Sequence, residues 1–191
     1  MLNKLFGAVA HRLIVPLVSG LVRLGLSANL VTVVGFLITV AAAAVVAGGR
    51  LFAGGLVLLI GAGFDMLDGA VARASGGGSD RGAFLDSTLD RLSDAAVFLG
   101  AAWWLAGAEN RLGVSLALGA MVLALMVSYV RARAEGLGFT CRVGLAERPE
   151  RVVIMAVGLL FDQLVPALAL LAAASALTVA QRFLHVWKQA A

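Results

Sequence analysis

Six apolar stretches divide the chain, each bounded by charged or turn-forming residues. They run Asn29–Ala47, Leu51–Gly63, Ala83–Ala106, Leu112–Val130, Arg151–Phe161 and Leu164–Ala180. A helix needs roughly 20 residues to cross a bilayer. The second stretch continues helically through the polar residues that follow it, and the fifth must borrow polar residues from Glu147 onward. The pattern predicts six transmembrane helices. Residues 2–24 read differently: Lys4, His11, Arg12, Ser19 and Arg23 recur at about helical spacing against Leu, Phe and Val. That spacing predicts an amphipathic helix lying in the membrane interface, bent near Pro16. The same segment lacks the apolar core and small-residue cleavage site of a secretory signal.

Composition agrees with an all-α integral membrane protein. The 191-residue chain is 61% hydrophobic, against about half in a soluble domain. Three prolines and the absence of any Pro/Ser-rich linker or fixed-period repeat predict one domain over residues 1–191, with the six-helix bundle at 29–188. Cys141 is the only cysteine, so no intrachain disulfide forms and the redox compartment stays open.

Charge then orients the bundle. Lys4, Arg12, Arg23, Arg73, Arg81, Arg91, Arg131, Arg133, Arg142, Arg148, Arg151, Arg182 and Lys188 fall on one side of the six spans, and only Arg50 and Arg111 on the other. The asymmetry predicts a multi-pass protein of the cell membrane with both termini cytoplasmic. The net charge of +4 is therefore read as topology plus an anionic ligand. The basic residues are dispersed at helix ends without interleaved aromatics, which argues against nucleic acid as a partner.

The chemistry gathers in one stretch, FDMLDGAVARASGGGSDRGAFLDSTLD, from Phe64 to Asp90. Its aspartates Asp65, Asp68, Asp86 and Asp90 lie beside bilayer hydrocarbon, where carboxylates are costly and functional by default. Asp65 and Asp68 are i, i+3 and share a helix face. Gly69 and Ala72 complete that stripe and let a large group approach the backbone. Arg73 adds a cation at the helix end. Gly82, Asp86 and Asp90 are spaced by four on the next helix. SGGGS between them predicts a tight turn joining antiparallel neighbours. Two carboxylates on each of two facing helices are an arrangement with which helix bundles hold metals. Clustered carboxylates either rise in pKa or share a cation. All-oxygen ligands suit Mg²⁺, Mn²⁺ or Ca²⁺, and no His or Cys nearby favours zinc. The alternative is a set of salt bridges: Asp65 and Asp68 with Arg73, and Asp86 and Asp90 with Arg81 or Arg91.

Asp65-x2-Asp68-Gly69-x2-Ala72-Arg73-x8-Gly82-x3-Asp86-x3-Asp90 resembles the full signature of the CDP-alcohol phosphotransferases, with all eight fixed positions in place. The resemblance implies a six-helix membrane enzyme, working as a homodimer. Such enzymes move a substituted phosphate from a CDP-alcohol to a second alcohol and release CMP. SANLVT, Ser27–Thr32, resembles the family's nucleotide-contacting turn, with Ala28 where a proline often stands. SYVRARAE, ERPER and QRFLHVW resemble the members that join CDP-diacylglycerol to inositol phosphate. On that resemblance Asp65, Asp68 and Asp86 would bind Mg²⁺, two ions being expected and Mn²⁺ an acceptable substitute. Asp90 would be both ligand and proton acceptor. Asn29, Leu30, Val31, Thr32, Gly69, Arg73 and Ser79 would hold CDP-diacylglycerol. The physics agrees: two metal ions about 4 Å apart can stabilise attacking and leaving oxygens, and a carboxylate can take the acceptor's proton. The site belongs at the membrane surface, where a soluble nucleotide meets a lipid that stays in the bilayer.

Arg131, Arg133, Arg151 and Arg182, with Ser128 one turn before Arg131, are candidates for the acceptor's phosphate. Guanidinium groups suit bidentate phosphate recognition, although positive-inside anchoring explains some of them. Glycerol 3-phosphate is the alternative acceptor, because it too is anionic. A cation transporter is the alternative from another class, but it would place ionisable groups near mid-bilayer rather than at one edge. Smaller expectations concern Asp94, paired with Arg91, and Glu135, Glu147 and Glu150, orienting the arginines. Gly107, Gly113 and Gly119 are expected as packing residues.

Overall fold

The computed structural model describes residues 16–190, all of whose regular elements are helical. Residues 16–23 are helical and end in a turn. Residues 2–15 of the expected interfacial helix lie outside the described residues. Six long helices follow: α1 (Ala28–Ala47), α2 (Leu51–Ala74), α3 (Asp80–Gly107), α4 (Arg111–Gly136), α5 (Arg148–Leu160) and α6 (Leu164–Gln189).

Local chemistry explains the boundaries. Ser27, Ser79 and Asn110 cap α1, α3 and α4, each side chain accepting from the backbone N–H three residues on. Pro149 sits in the first turn of α5, where its missing N–H costs nothing. α2 ends where Gly76 and Gly77 take φ of 100° and 107°, a region that disfavours any side chain. The Gly77 N–H closes that end on the Ala72 carbonyl at 3.0 Å.

Four helices, α1, α2, α4 and α6, are long and apolar enough to cross a membrane. The other two depart from the six expected spans for different reasons. α3 carries Asp86, Asp90, Arg91 and Asp94 in its first half. α5 has 13 residues, a length of ~20 Å at 1.5 Å per residue against a hydrocarbon core of about 30 Å.

Close packing runs from α1 to α2, α2 to α5, α5 to α6, α6 to α4, α4 to α3 and α3 back to α1. The six helices therefore close a ring whose order differs from chain order. A core of buried residues fills it, including Val46, Leu58, Phe98, Leu105, Ala120, Leu159 and Leu168, drawn from every helix. Outside, Leu37, Phe52, Ile60, Trp103, Val122 and Leu170 are exposed, as a lipid-facing surface requires.

α2 and α3 are not antiparallel packed neighbours, since each packs on α1 and they are not a closely packed pair. The glycine turn joins them but α1 holds them, and a gap opens between their polar ends.

Small residues bring the other helices close. A methyl group on Gly100 would collide with the Ala43 carbonyl of α1, and one on Gly158 with the Ala167 side chain of α6. Of the three glycines expected to pack, only Gly113 does so, against Leu105; a Cβ on Gly107 or Gly119 would meet open space. Overpacking a tight site costs about 1–3 kcal/mol, so Gly100→Ala should lower the melting temperature in detergent by several degrees. Gly119→Ala gains helix propensity without a clash and should leave it unchanged or higher. Differential scanning fluorimetry of the two variants distinguishes a packed glycine from a tolerated one.

Candidate active site

The gap between α2 and α3 holds the four aspartates. Asp68, 5% exposed, is set by α1: the Thr32 hydroxyl donates to its Oδ2 at 2.7 Å. Its own Oδ1 accepts from the Gly69 N–H. The negative charge of Asp86 acts on Asp65, Asp68 and Asp90, so carboxylates from both helices share one electrostatic field.

The counter-charge comes from α5. Arg148 Nη2 meets Asp65 Oδ2 at 2.7 Å and Arg148 Nη1 meets Asp90 Oδ1 at 2.8 Å. Its Nε lies 3.7 Å from Asp94 Oδ1. One guanidinium thus spans the gap between α2 and α3. None of the ion pairs weighed from sequence for these aspartates forms; the partner is Arg148 rather than Arg73, Arg81 or Arg91. Asp94 is corrected too. It pairs with Arg151, whose Nε donates to its Oδ2 at 3.2 Å, while the Arg91 side chain turns back to the Ser87 carbonyl.

Two clefts flank the aspartate row. The first, about 500 Å³, is lined by Asn29, Thr32, Asp68, Gly69, Arg73, Ser79 and Asp86. It brings together five of the seven residues expected at the CDP-diacylglycerol. Gly69 leaves its floor open, since a Cβ there would meet only Arg73 Nη1. Leu30 and Val31 are not part of the wall: Leu30 is exposed and Val31 is buried.

The second cleft, about 190 Å³, is lined by Asp90, Ser128, Arg131, Glu147, Arg148, Arg151 and Arg182. Four of the five residues expected at the acceptor phosphate meet here. Arg133 does not; it is exposed on α4 outside this wall. Asp90 lines the second cleft and Asp68 and Asp86 the first, so these three aspartates stand between the two.

The arginines of the second cleft are of two kinds. Arg182 is 2% exposed and donates to the Val143 carbonyl at 2.8 Å, the Val127 carbonyl at 2.7 Å and Glu147 at 3.0 Å. Arg151, 4% exposed, donates to the Ala146 carbonyl at 2.9 Å besides Asp94. Arg131 is more open and is oriented by Glu135 at 2.9 Å and Glu147 at 3.6 Å, as expected of those glutamates. Glu150 makes no ion pair among the described residues.

A strap positions Arg148. The segment between α4 and α5 folds onto α6, where the Thr178 hydroxyl accepts from the Leu145 and Ala146 N–H groups at 3.2 and 3.0 Å. Arg182 holds the same segment from Val143 to Glu147. From the sequence, Arg148 belongs to a cytoplasmic arginine cluster facing the aspartates, but it is not among the residues expected at the acceptor's phosphate or as a partner of the aspartates. The signal available was the Pro149 that follows it, which marks a helix start and fixes Arg148 on the end facing the carboxylates.

Four carboxylates with no thiolate or imidazole in either cleft fit a hard divalent cation. Among the described residues, however, no three such groups stand close enough to cage an ion as arranged. Asp65 and Asp90 turn their oxygens to Arg148 instead.

A family model described as CDP-alcohol phosphatidyltransferase matches residues 26–188. The chain belongs to this family. Among its members, the phosphatidylinositol phosphate synthase of Mycobacteroides abscessus is 44% identical over 176 residues, 87% of this chain and 80% of that one. The archaetidylinositol phosphate synthase of Methanothermobacter thermautotrophicus is 42% identical over 195 residues, 99% of this chain and 95% of that one. The crystal structure of Mycobacterium tuberculosis phosphatidylinositol phosphate synthase with CDP-DAG bound superposes with a TM-score of 0.86 at 41% identity, covering 92% of this chain and 94% of that one. A second structure of that family member is a complex with manganese and citrate, with a TM-score of 0.86 at 41% identity over 91% of this chain and 88% of that one.

The contrast between buried and open arginines is testable. Leaving a buried acceptor without its donor costs about 1–3 kcal/mol, and Arg182 serves two backbone carbonyls. Arg182→Met should therefore lower the melting temperature sharply, with or without substrates. Arg133→Gln should change neither the melting temperature nor the acceptor KM measured by CMP release.

Proposed function

We propose that this chain is a phosphatidylinositol phosphate synthase, transferring the phosphatidyl group of CDP-diacylglycerol to a hydroxyl of inositol phosphate and releasing CMP. The observation that carries it is the pair of clefts meeting at one row of aspartates. The first is lined by the nucleotide-turn residues Asn29 and Thr32 and by the signature residues Gly69 and Arg73. The second is lined by Ser128 and arginines, suited to an acceptor that itself bears a phosphate. The names of the relatives support the same donor and acceptor.

Asp65, Asp68, Asp86 and Asp90 would hold divalent cations, two Mg²⁺ or Mn²⁺ ions, which neutralise the diphosphate when bound. The manganese complex of the tuberculosis family member supports this choice. The protein's own residues do the rest. Asn29, Thr32, Arg73 and Ser79 orient the nucleotide, and the acyl chains stay in the bilayer. Ser128, Arg131 and Arg148 receive the acceptor's phosphate, while Arg151 and Arg182 fix the wall behind it. Asp90 faces that cleft and takes the proton of the attacking hydroxyl. The hydroxyl oxygen forms a bond to the lipid-bearing phosphorus as the bond from that phosphorus to CMP breaks.

The remaining topology follows from the same charges. α3 and α5 complete six spans, with the aspartates, the arginines and both termini on the cytoplasmic side, supported by the thirteen-to-two distribution of basic residues. The short α5 crosses with its flanking polar segment. On the family resemblance the chain works as a homodimer.

An acceptor panel tests the assignment. Purified protein with CDP-diacylglycerol and Mg²⁺ should release CMP with inositol phosphate, and poorly with inositol or glycerol 3-phosphate. Preference for glycerol 3-phosphate would move the assignment to the alternative acceptor. EDTA should abolish release and Mg²⁺ or Mn²⁺ restore it. Asp90→Asn keeps the shape but not the basicity, so product formation should collapse while CDP-diacylglycerol affinity changes little. Equal loss of donor binding and turnover would reduce Asp90 to a ligand. A hydrogen bond to a charged group is worth about 1.5–3 kcal/mol, so Arg131→Gln should raise the KM for inositol phosphate by roughly one to two orders of magnitude.

A further inference from the structure

Arg148 is engaged on two fronts. Its two terminal nitrogens occupy Asp65 Oδ2 and Asp90 Oδ1, and the same side chain lines the cleft of Ser128 and Arg131. A cation and a guanidinium compete for the same carboxylate oxygens. Cations held by Asp65 and Asp90 would need the oxygens on which Arg148 now sits, Asp65 Oδ2 and Asp90 Oδ1. The guanidinium is then the group that must yield, because it is the one on a side chain with somewhere else to go. That place is the second cleft, directly beside Asp90. Among the described residues, the Arg148 Nε is buried without a hydrogen-bond partner, 3.7 Å from Asp94, which the buried Arg151 holds.

We infer that Arg148 couples the two halves of the site. In one position it neutralises Asp65 and Asp90; in the other it donates to the acceptor's phosphate, and divalent cations drive it from the first to the second. The metal thus prepares the acceptor cleft, and by linkage the acceptor tightens the metal. This reading rests on the proposed function, because it takes the acceptor to be phosphorylated and the aspartates to bind cations.

Mn²⁺ binding, followed by electron paramagnetic resonance without any turnover, tests it. Asp68→Asn should lose the bound signal, which locates the ion among the aspartates. Arg148→Gln removes the competitor and should bind Mn²⁺ at least about fivefold more tightly than wild type, the low end of ordinary site–site coupling. Arg148→Lys, which keeps the charge but cannot bridge two carboxylates, should shift in the same direction and serves if the glutamine variant fails to fold. Inositol phosphate should tighten Mn²⁺ binding to the wild type and do so markedly less in either variant. Unchanged or weaker Mn²⁺ binding by both variants would overturn the coupling, as would an acceptor effect that survives loss of the guanidinium. Failure of the wild type to release CMP with inositol phosphate would instead sink the proposed function, whatever the resonance data show.

Discussion

The site depends on one guanidinium that bridges carboxylates on two helices, Asp65 on α2 and Asp90 on α3. α2 and α3 both lean on α1 and leave their acidic ends apart. Repulsion among Asp65, Asp68, Asp86 and Asp90 would widen that gap. Arg148 spans it from a third direction, and its planar fork suits two carboxylates at once. α5 is placed to deliver this group, which explains why a helix too short for an unaided crossing belongs to the ring. The strap before it, bound to Thr178 and Arg182, sets where that helix begins.

The basic residues divide by burial rather than by position in sequence. A positive-inside bias asks only that arginines lie on the cytoplasmic side, and it asks nothing of their surroundings. Arg151 and Arg182 go further. Each is almost wholly enclosed and donates to backbone carbonyls. Such groups hold a wall in shape. Arg131 and Arg148 keep charge accessible to the cleft and are the ones a ligand can meet.

Much of this was legible in the chain because membrane helices announce themselves by length and hydropathy. The six helix positions agree with the apolar stretches closely, with α4 and α6 extending into polar residues beyond them. The aspartate spacing was legible for the same reason: a helix converts i, i+3 and i+4 into one face. What escaped was everything that depends on which helices touch. The tight SGGGS turn suggested that α2 and α3 pack together, yet turn length constrains the ends of two helices and not their sides. Asp94 was assigned to its sequence neighbour Arg91, but its partner lies 57 residues away on α5. Arg148 was hidden by its company, one arginine among several. Gly107 and Gly119 looked like Gly113, and only the neighbouring helix distinguishes them.

The order of the ring also sets an order of assembly. The acidic ends of α2 and α3 leave the ribosome well before α5, and they enter the membrane without their counter-charge. α5 packs on α2 and on α6, so its full docking surface exists only when the last helix has been made. The contacts that place Arg148 between the aspartates are therefore complete only with the last helix. A chain without the last helix would carry its full acidic motif and Arg148 but lack Thr178 and Arg182, which set where α5 begins.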